Sequence, residues 1–317
     1  VTIAATTITT PVLVLVGPTA IGKTALSLTI AEEFGCEIIS MDSMQVYRSM
    51  DIGTAKASEA ERRLIPHYLI DIVDPDEQYD AARFVTDALN AIETIRQKGK
   101  RPLITGGTGL YLTALVNGLF DEIQADPAVR ASLQQRLRDE GREALYRELS
   151  RVDPESAARV HPNDTQRLLR GLEIFHTTGT PWSEHLRRQS ESRPATRFSR
   201  MLPLGLSCAR EHLYERIQLR TEAMMQDAFQ VEVASLLARG YGPDLPSMQS
   251  IGYRHMVRCI QGAWDRQTAT AALIQDTRRY AKRQLTWFRH HAAIRWYDRH
   301  NPDGMLADIA DFLHTAR

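Results

Sequence analysis

Thirteen residues near the start of the chain, VLVLVGPTAIGKT at positions 12–24, carry the clearest chemistry. An apolar, β-branched run enters Gly17, and Gly22-Lys23-Thr24 opens an apolar-periodic segment that runs to Phe34. The spacing matches GxxxxGK(S/T) at every fixed position, in the strand–loop–helix context that gives the pattern its meaning. Gly17, Pro18, Thr19, Ala20, Ile21 and Gly22 thus form a loop whose backbone N–H groups converge on one spot, where the helix dipole favours negative charge. Lys23 adds a cation, and the Thr24 hydroxyl is placed to join a Mg²⁺ shell. A phosphate or diphosphate is expected here; the loop alone does not say which molecule carries it.

Three other groupings invite chemistry. Asp42-Ser43-Met44-Gln45 follows a short apolar run, EIIS, at a strand end where ligands of open α/β sheets bind. Asp42 suits a general base, an outer metal ligand or ordinary turn chemistry. Asp71 has the position of a metal-binding carboxylate, but its setting in HYLIDIVDP favours burial or a turn. Gly106-Gly107-Thr108-Gly109 would let a ligand approach the backbone closely, or simply make a sharp turn. Arg210, Arg216 and Arg220 lie on one expected helix. Arg216 and Arg220 share a face at i,i+4 and could clamp a diphosphate; Arg210 is less well aligned. The segment with Arg278, Arg279, Lys282, Arg283 and Arg289 interleaves Tyr280, Trp287 and Phe288. It reads equally as a solvated cationic face over a core or as a phosphate track with aromatic platforms.

The elements that must position these groups follow from periodicity. Strands are expected at 12–16, 37–40, 67–72, 101–105, 201–207 and 294–297, the fifth weakened by Pro203 and Gly205. Asp80 caps a long amphipathic helix stopped by Gly99. The βαβα alternation over 12–118 implies a parallel sheet with helices on both faces. From residue 120 the texture becomes helical, with segments at 128–140, 143–149, 154–160 and 165–177, the first opened by Asp126-Pro127. A loop is expected at 190–200, long helices at 210–238 and 269–291, and a loop over 244–254. The expected organisation is an α/β core at 1–119, an all-helical insertion at 120–200, and a core continuation at 201–317.

Composition is that of an ordinary water-soluble chain: 317 residues, 43% hydrophobic, 25% charged and net charge zero. Zero net charge argues against wholesale coating of nucleic acid but leaves room for a local basic groove. Cys36, Cys208 and Cys259 are isolated, which fits a reducing cytosol and gives no zinc pattern. The scattered histidines have no ligand spacing. The first ten residues lack a basic n-region and a long apolar run, so a ragged lead-in is expected rather than a signal peptide. No run is long enough to span a bilayer. A cytoplasmic monomer is the expectation.

Taken in order, GPTAIGKT, DSMQVY, IDIVDPDEQYDAARF, GGTGLY, RxxLxxRIxxR, SIGYR and YAKRQLTWFR resemble the tRNA dimethylallyltransferase (isopentenyltransferase) family over nearly the whole chain. The resemblance implies a P-loop-type fold and transfer of a dimethylallyl group from its diphosphate to N6 of adenosine 37 in tRNA, with Mg²⁺. It implies that the loop and Arg220 hold the prenyl diphosphate, with Asp42 as base on N6. It implies tRNA contacts from Asp42, Ser43, Met44, Gln45, Thr108, Arg130, Gln166, Arg167, Leu168, Leu169, Arg170, Gln249, Gly252, Tyr253, Arg254, Lys282, Arg283, Gln284, Trp287 and Arg289, and that the insertion grips the anticodon stem-loop. An ATP-dependent small-molecule kinase would explain the loop and Asp42 but not the arginine-rich second half. A free-nucleotide prenyltransferase would not need the insertion. A non-catalytic RNA-binding protein would not need an intact Lys23, Thr24 and Asp42.

Overall fold

The architecture is that of a computed structural model, which describes residues 7–118, 126–191, 197–291 and 293–315. The chain forms two units. Val1–Val116 and Thr196–Arg317 make the first, and Asn117–Ala195 the second.

In the first unit, strand β1 (Val12–Val16) runs into helix α1 (Lys23–Phe34). Gly35, at φ 64°, ends the helix with its N–H on the Ala31 carbonyl. Strand β2 (Cys36–Met41) follows, then α2 (Glu59–Leu64), whose Ser58–Glu61 capping box marks its start. Strand β3 (His67–Tyr68) is only two residues long. The expected strand 67–72 stops there because Leu69 and Asp71 turn to positive φ (62° and 57°). Asp71 is an ion-pair anchor, 2.6 Å from both Lys56 Nζ and Arg62 Nη1. Helix α3 (Ala81–Gln97) is capped by Asp80, whose carboxylate accepts from the Ala82 and Arg83 amides. Its apolar stripe, Phe84, Val85, Ala88, Ala91, Ile92 and Ile95, is buried. Strand β4 (Arg101–Gly106) leads into α4 (Gly109–Asn117).

The second unit is helical: α5 (Pro127–Asp139), α6 (Arg142–Val152), α7 (Pro154–Arg159), α8 (Thr165–Thr178) and α9 (Trp182–Glu191). Its core packs Leu133, Leu145, Leu149, Val160, Leu168 and Leu172. Two ends of the expected 120–200 insertion move. The unit begins at Asn117, and Phe198, bridged to Ile8, belongs to the first unit. The expected 190–200 loop is helical to Glu191; 192–196, like 1–6 and 119–125, lies outside the described residues.

Strand β5 (Met201–Ser207) returns to the sheet beside β1. Pro203 is tolerated because β6 pairs only from Leu204 onward. The expected single helix 210–238 is two, α10 (Arg210–Met224) and α11 (Asp227–Ala238). Within the expected 244–254 loop, α12 (Tyr253–Ile260) already begins. Helix α13 (Arg266–Arg289), strand β6 (Arg295–Asp298) and α14 (Asp303–His314) complete the unit.

The six strands are parallel in the order β3-β2-β4-β1-β5-β6. All five residues of β1 are buried, as a central strand covered on both faces requires. From β1 the chain crosses to β2 on one side, returns through β3 to β4, and from β4 crosses β1 to β5 on the other side. The crevice off the β1 C-terminal end is therefore where ligands of such sheets bind, and the glycine loop is there.

Candidate active site

The loop after β1 is held from several directions. Lys23 Nζ donates to the Gly17 and Pro18 carbonyls at 3.0 and 2.9 Å. Burial drives its pKa down to about 8, the Asp42 carboxylate opposing and Arg220 adding to the fall. Two α10 arginines reach the loop: Arg216 Nε donates to the Ala20 carbonyl at 2.8 Å, and Arg220 Nη1 to Thr19 Oγ1 at 3.2 Å. Burial lowers the Arg220 pKa, Asp42 partly offsetting it. Arg210 is not among them; it is exposed, its guanidinium 4.9 Å from the Tyr214 ring centre. In its place stands Arg299, just past β6, whose Nε donates to the Ile21 carbonyl at 2.9 Å.

A third support comes from α13. Gln284, expected at an RNA surface, is buried. Its Oε1 accepts from the Thr19 amide at 2.8 Å and its Nε2 donates to the Gly107 carbonyl at 2.9 Å. Gly107 and Gly109 allow this approach, since a Cβ there would lie 2.1 Å from the Gln284 amide and 2.2 Å from the Trp287 ring.

The β2 edge brings in the carboxylate. Asp42 Oδ1 accepts from the Met44 and Gln45 amides at 2.9 and 3.4 Å, which fixes the side chain. The Ser43 amide donates to Thr108 Oγ1 at 3.2 Å, tying the β2 and β4 ends together. Gln45 accepts from Ser40 Oγ at 3.0 Å through its side-chain carbonyl.

Two cavities meet at this carboxylate. One, of about 240 Å³, is lined by Lys23, Thr24, Asp42, Gln45, Arg216 and Arg220 among others. The other, of about 230 Å³, is more apolar, with Met44, Ile217, Met224, Ile251 and Leu273. Thr19, Asp42, Arg220 and Tyr280 belong to both walls. Tyr280 was visible in the sequence only as one aromatic of a basic helix; burial, then Asp42, raise its pKa, so it presents a neutral hydroxyl. Thr105 Oγ1 in the first cavity and Ser250 Oγ in the second are buried without a partner among the described residues. An anion-binding end, a fixed carboxylate and an apolar chamber thus share one space.

The IPP transferase family model matches residues 45–291. A tRNA dimethylallyltransferase of Desulfotalea psychrophila is 50% identical over 303 residues, covering 96% of each chain. One of Desulfosudis oleivorans is 47% identical over 287 residues, 90% of each chain. The crystal structure of a tRNA isopentenylpyrophosphate transferase from Bacillus halodurans superposes with a TM-score of 0.69 at 38% identity, covering 96% of each chain. The chain belongs to the tRNA dimethylallyltransferase family. A eukaryotic dimethylallyltransferase captured acting on tRNA superposes with a TM-score of 0.76 at 30% identity, over 92% of this chain and 74% of that one.

The residues that the family resemblance assigns to RNA divide by exposure. Lys282, Arg283 and Arg289 lie on the exposed face of α13, and the Arg283 guanidinium is 5.8 Å from the Tyr280 ring centre. Trp287 packs over Gly109 with its Nε1 buried and without a partner among the described residues. Gln249 is exposed and donates to the Pro243 carbonyl. Tyr253 is core, not surface: it is fully buried, T-stacked on Phe229, with its hydroxyl donating to Glu232. Arg254 pairs with Asp276, and the Gly252 amide donates to His255 Nδ1. In the second unit, Gln166 and Arg167 are exposed, Arg167 pairing with Asp164. Arg130 and Arg170 each lie 3.4 Å from Glu173. Leu168 is buried in that unit's core, and the partly buried Leu169 packs against it.

Proposed function

We propose that this protein transfers a dimethylallyl group from dimethylallyl diphosphate to N6 of adenosine 37 in tRNA, releasing diphosphate. The observation that carries the proposal is the continuity of the space: Lys23, Arg216 and Arg220 stand at one end of a cavity whose wall includes Asp42, and Asp42 also borders the apolar chamber.

The chemistry suits those groups. Breaking the allylic C–O bond spreads positive charge over the allyl carbons and builds negative charge on the leaving diphosphate. Loop amides, Lys23 and the arginines offset that charge, an effect often worth several kcal/mol. N6 of adenine is a weak nucleophile because its lone pair feeds the ring, yet it becomes acidic as the new C–N bond forms. A carboxylate then suffices to take the proton. The Met44 and Gln45 amides hold Oδ1 of Asp42, and Oδ2 is the oxygen to which we assign that step. Adenine has to leave its stack to reach it, which costs a few kcal/mol.

Thr24, exposed beside Lys23, offers one hydroxyl, and no cluster of three or more acidic, histidine or cysteine ligands exists among the described residues. That fits Mg²⁺, which takes few protein ligands and completes its shell with phosphate oxygens and water. Bound with the substrate, it would neutralise developing charge on the diphosphate. The exposed Lys282, Arg283 and Arg289 support a phosphate-backbone contact, and the insertion a grip on the anticodon stem-loop. No helix among the described residues is long and apolar enough to cross a membrane, and we propose a cytoplasmic monomer.

The test is transfer of labelled dimethylallyl, with Mg²⁺, to an anticodon stem-loop with A at position 37, the same loop with G there, and free AMP. Label on the first alone is expected. Label on AMP would point to a free-nucleotide enzyme, and ATP turnover without label to a kinase.

A further inference from the structure

Arg299 belongs to none of the motifs, yet it reaches the phosphate loop. It follows β6, the edge strand, and the pairing of β6 with β5 carries it back to the end of β1. Its Nε donates to the Ile21 carbonyl, as Arg216 Nε donates to the carbonyl of the preceding residue, Ala20. Ala20 has a φ of 64°, a left-handed conformation that a residue with a Cβ adopts only when its surroundings impose it. Two guanidiniums therefore grip two consecutive peptides of the loop.

Their free ends converge. A Cβ on Gly22 would lie 3.7 Å from Arg299 Nη2 and 3.9 Å from Arg216 Nη2. Gly22 opens α1 without a side-chain cap, so the first amides of that helix are left for another acceptor. Neither arginine has a carboxylate within ion-pair distance among the described residues; the other contact of Arg299 is Nη1 to His300 Nε2 at 3.3 Å. Burial and the charge of Arg299 together lower the Arg216 pKa. Like charges brought to one point without a counter-ion are unfavourable until an anion arrives.

We propose that Arg299 is a diphosphate-binding residue, pairing with Arg216 on the terminal phosphate, the one farther from the allyl carbon. The inference rests on the prenyl-diphosphate reading above and deepens it. Arg220 lines the apolar chamber as well as the polar cavity, beside Asp42 in both, whereas Arg216 lines only the polar one; Arg220, with Lys23, which the Asp42 charge also reaches, attends the phosphate next to the breaking bond. Arg216 and Arg299, at Gly22, attend the outer one. The nature of the ligand follows from the same geometry: two forked guanidiniums suit the several oxygens of a terminal phosphate better than a monoester placed deep against Lys23.

The experiment compares two probes, dimethylallyl diphosphate and dimethylallyl monophosphate, by calorimetric binding with Mg²⁺ to wild type, Arg299→Gln and Arg299→Lys. Arg299→Gln should weaken the diphosphate about tenfold, the worth of one charge-assisted contact, and leave the monophosphate within about twofold. Arg299→Lys, which keeps the charge but not the fork, should recover part of the loss and guards against a variant that merely misfolds. Steady-state transfer should show a raised KM for dimethylallyl diphosphate with KM for tRNA unchanged. Equal losses for both probes would reduce Arg299 to a prop for the loop and overturn the inference, as would no loss at all. Wild-type protein that binds neither probe would overturn the prenyl-diphosphate reading itself, a result distinct from either.

Discussion

The phosphate loop and the helical unit at Asn117–Ala195 are both rich in arginine, and they use it in opposite ways. In the helical unit the arginines meet acids: Arg136 reaches Glu140 at 2.7 Å and Glu148 at 2.8 Å, Arg159 reaches Glu155 at 2.9 Å, and Arg130 and Arg170 share Glu173. Around the loop, Lys23, Arg216, Arg220 and Arg299 donate to carbonyls and a hydroxyl. A surface ion pair is worth about 0–1 kcal/mol and cancels its own field. A cation anchored to a neutral partner keeps its charge for an incoming anion. Local charge balance around each side chain, rather than arginine content, separates the anion site from the scaffold.

The largest effect expected at the loop site comes from the one acid among its cations. Asp42→Ala should lower kcat about 10²–10⁴-fold, the range of a lost general base, with tRNA affinity held; single-turnover transfer and a filter-binding titration on the same preparation would show it. Unchanged kcat would remove Asp42 from the chemistry. Arg220→Gln should cost roughly 10²–10³-fold in turnover, as removal of one charge-stabilising donor does elsewhere. Its foil is Arg136→Gln, which should leave turnover within about twofold because its field is already cancelled by two glutamates. Equal losses from Arg220→Gln and Arg136→Gln would erase the distinction between the two regions.

The sheet was legible because a parallel strand buried on both faces announces itself as a β-branched run, as in 12–16, and the loop because its glycines and lysine are contiguous. What failed to show was tertiary. Arg299 reaches the site only because β6 pairs beside β5, and no local pattern encodes that. Gln284 sits in the basic run with Lys282 and Arg283, but a helix turns 100° per residue. Ala281, Gln284 and Phe288 face inward while Lys282, Arg283 and Arg289 face out. The buried Ala281 and Phe288 at i−3 and i+4 were the available signal. The turn at Leu69–Asp71 uses positive φ without glycine, and α10 breaks before α11 without proline, so neither left a mark in composition.

The exposed face of α13 at Lys282, Arg283 and Arg289 is an intermediate case, basic and, among the described residues, without ion-pair partners. Lys282→Gln with Arg283→Gln should weaken tRNA binding about tenfold and reduce the slope of log K against log salt by roughly 0.7–0.9 for each phosphate no longer neutralised. An unchanged slope would make these cations a solvated face. Arg254→Gln should change the slope less, since Asp276 already accepts from Arg254.

The smallest effect tests charge compensation without any substrate. Asp276 gathers Arg254, Arg279 Nη1 at 3.4 Å and His255 Nε2 at 3.3 Å. The Gly252 amide donates to His255 Nδ1, so the buried imidazole is neutral and gives its only N–H to Asp276. Burial, then the charge of Arg254, push its pKa down to about 4 against the pull of Asp276, with Arg258 adding to the fall. In the unfolded chain the same histidine titrates near 6.5. The unfolded state therefore takes up the proton first as pH falls. The stability that neutral His255 contributes is fully present above about pH 6.5 and is lost progressively toward pH 4. Urea unfolding should show wild type losing up to about 1 kcal/mol between pH 6 and pH 5 that His255→Gln does not lose. Carboxylates that titrate lower are common to both proteins and cancel in the difference. Parallel pH profiles would mean that the folded protein protonates His255 as readily as the unfolded chain does. The Gly252 amide would then have to give up Nδ1, and the acid-paired network would be as open to added charge as the loop is.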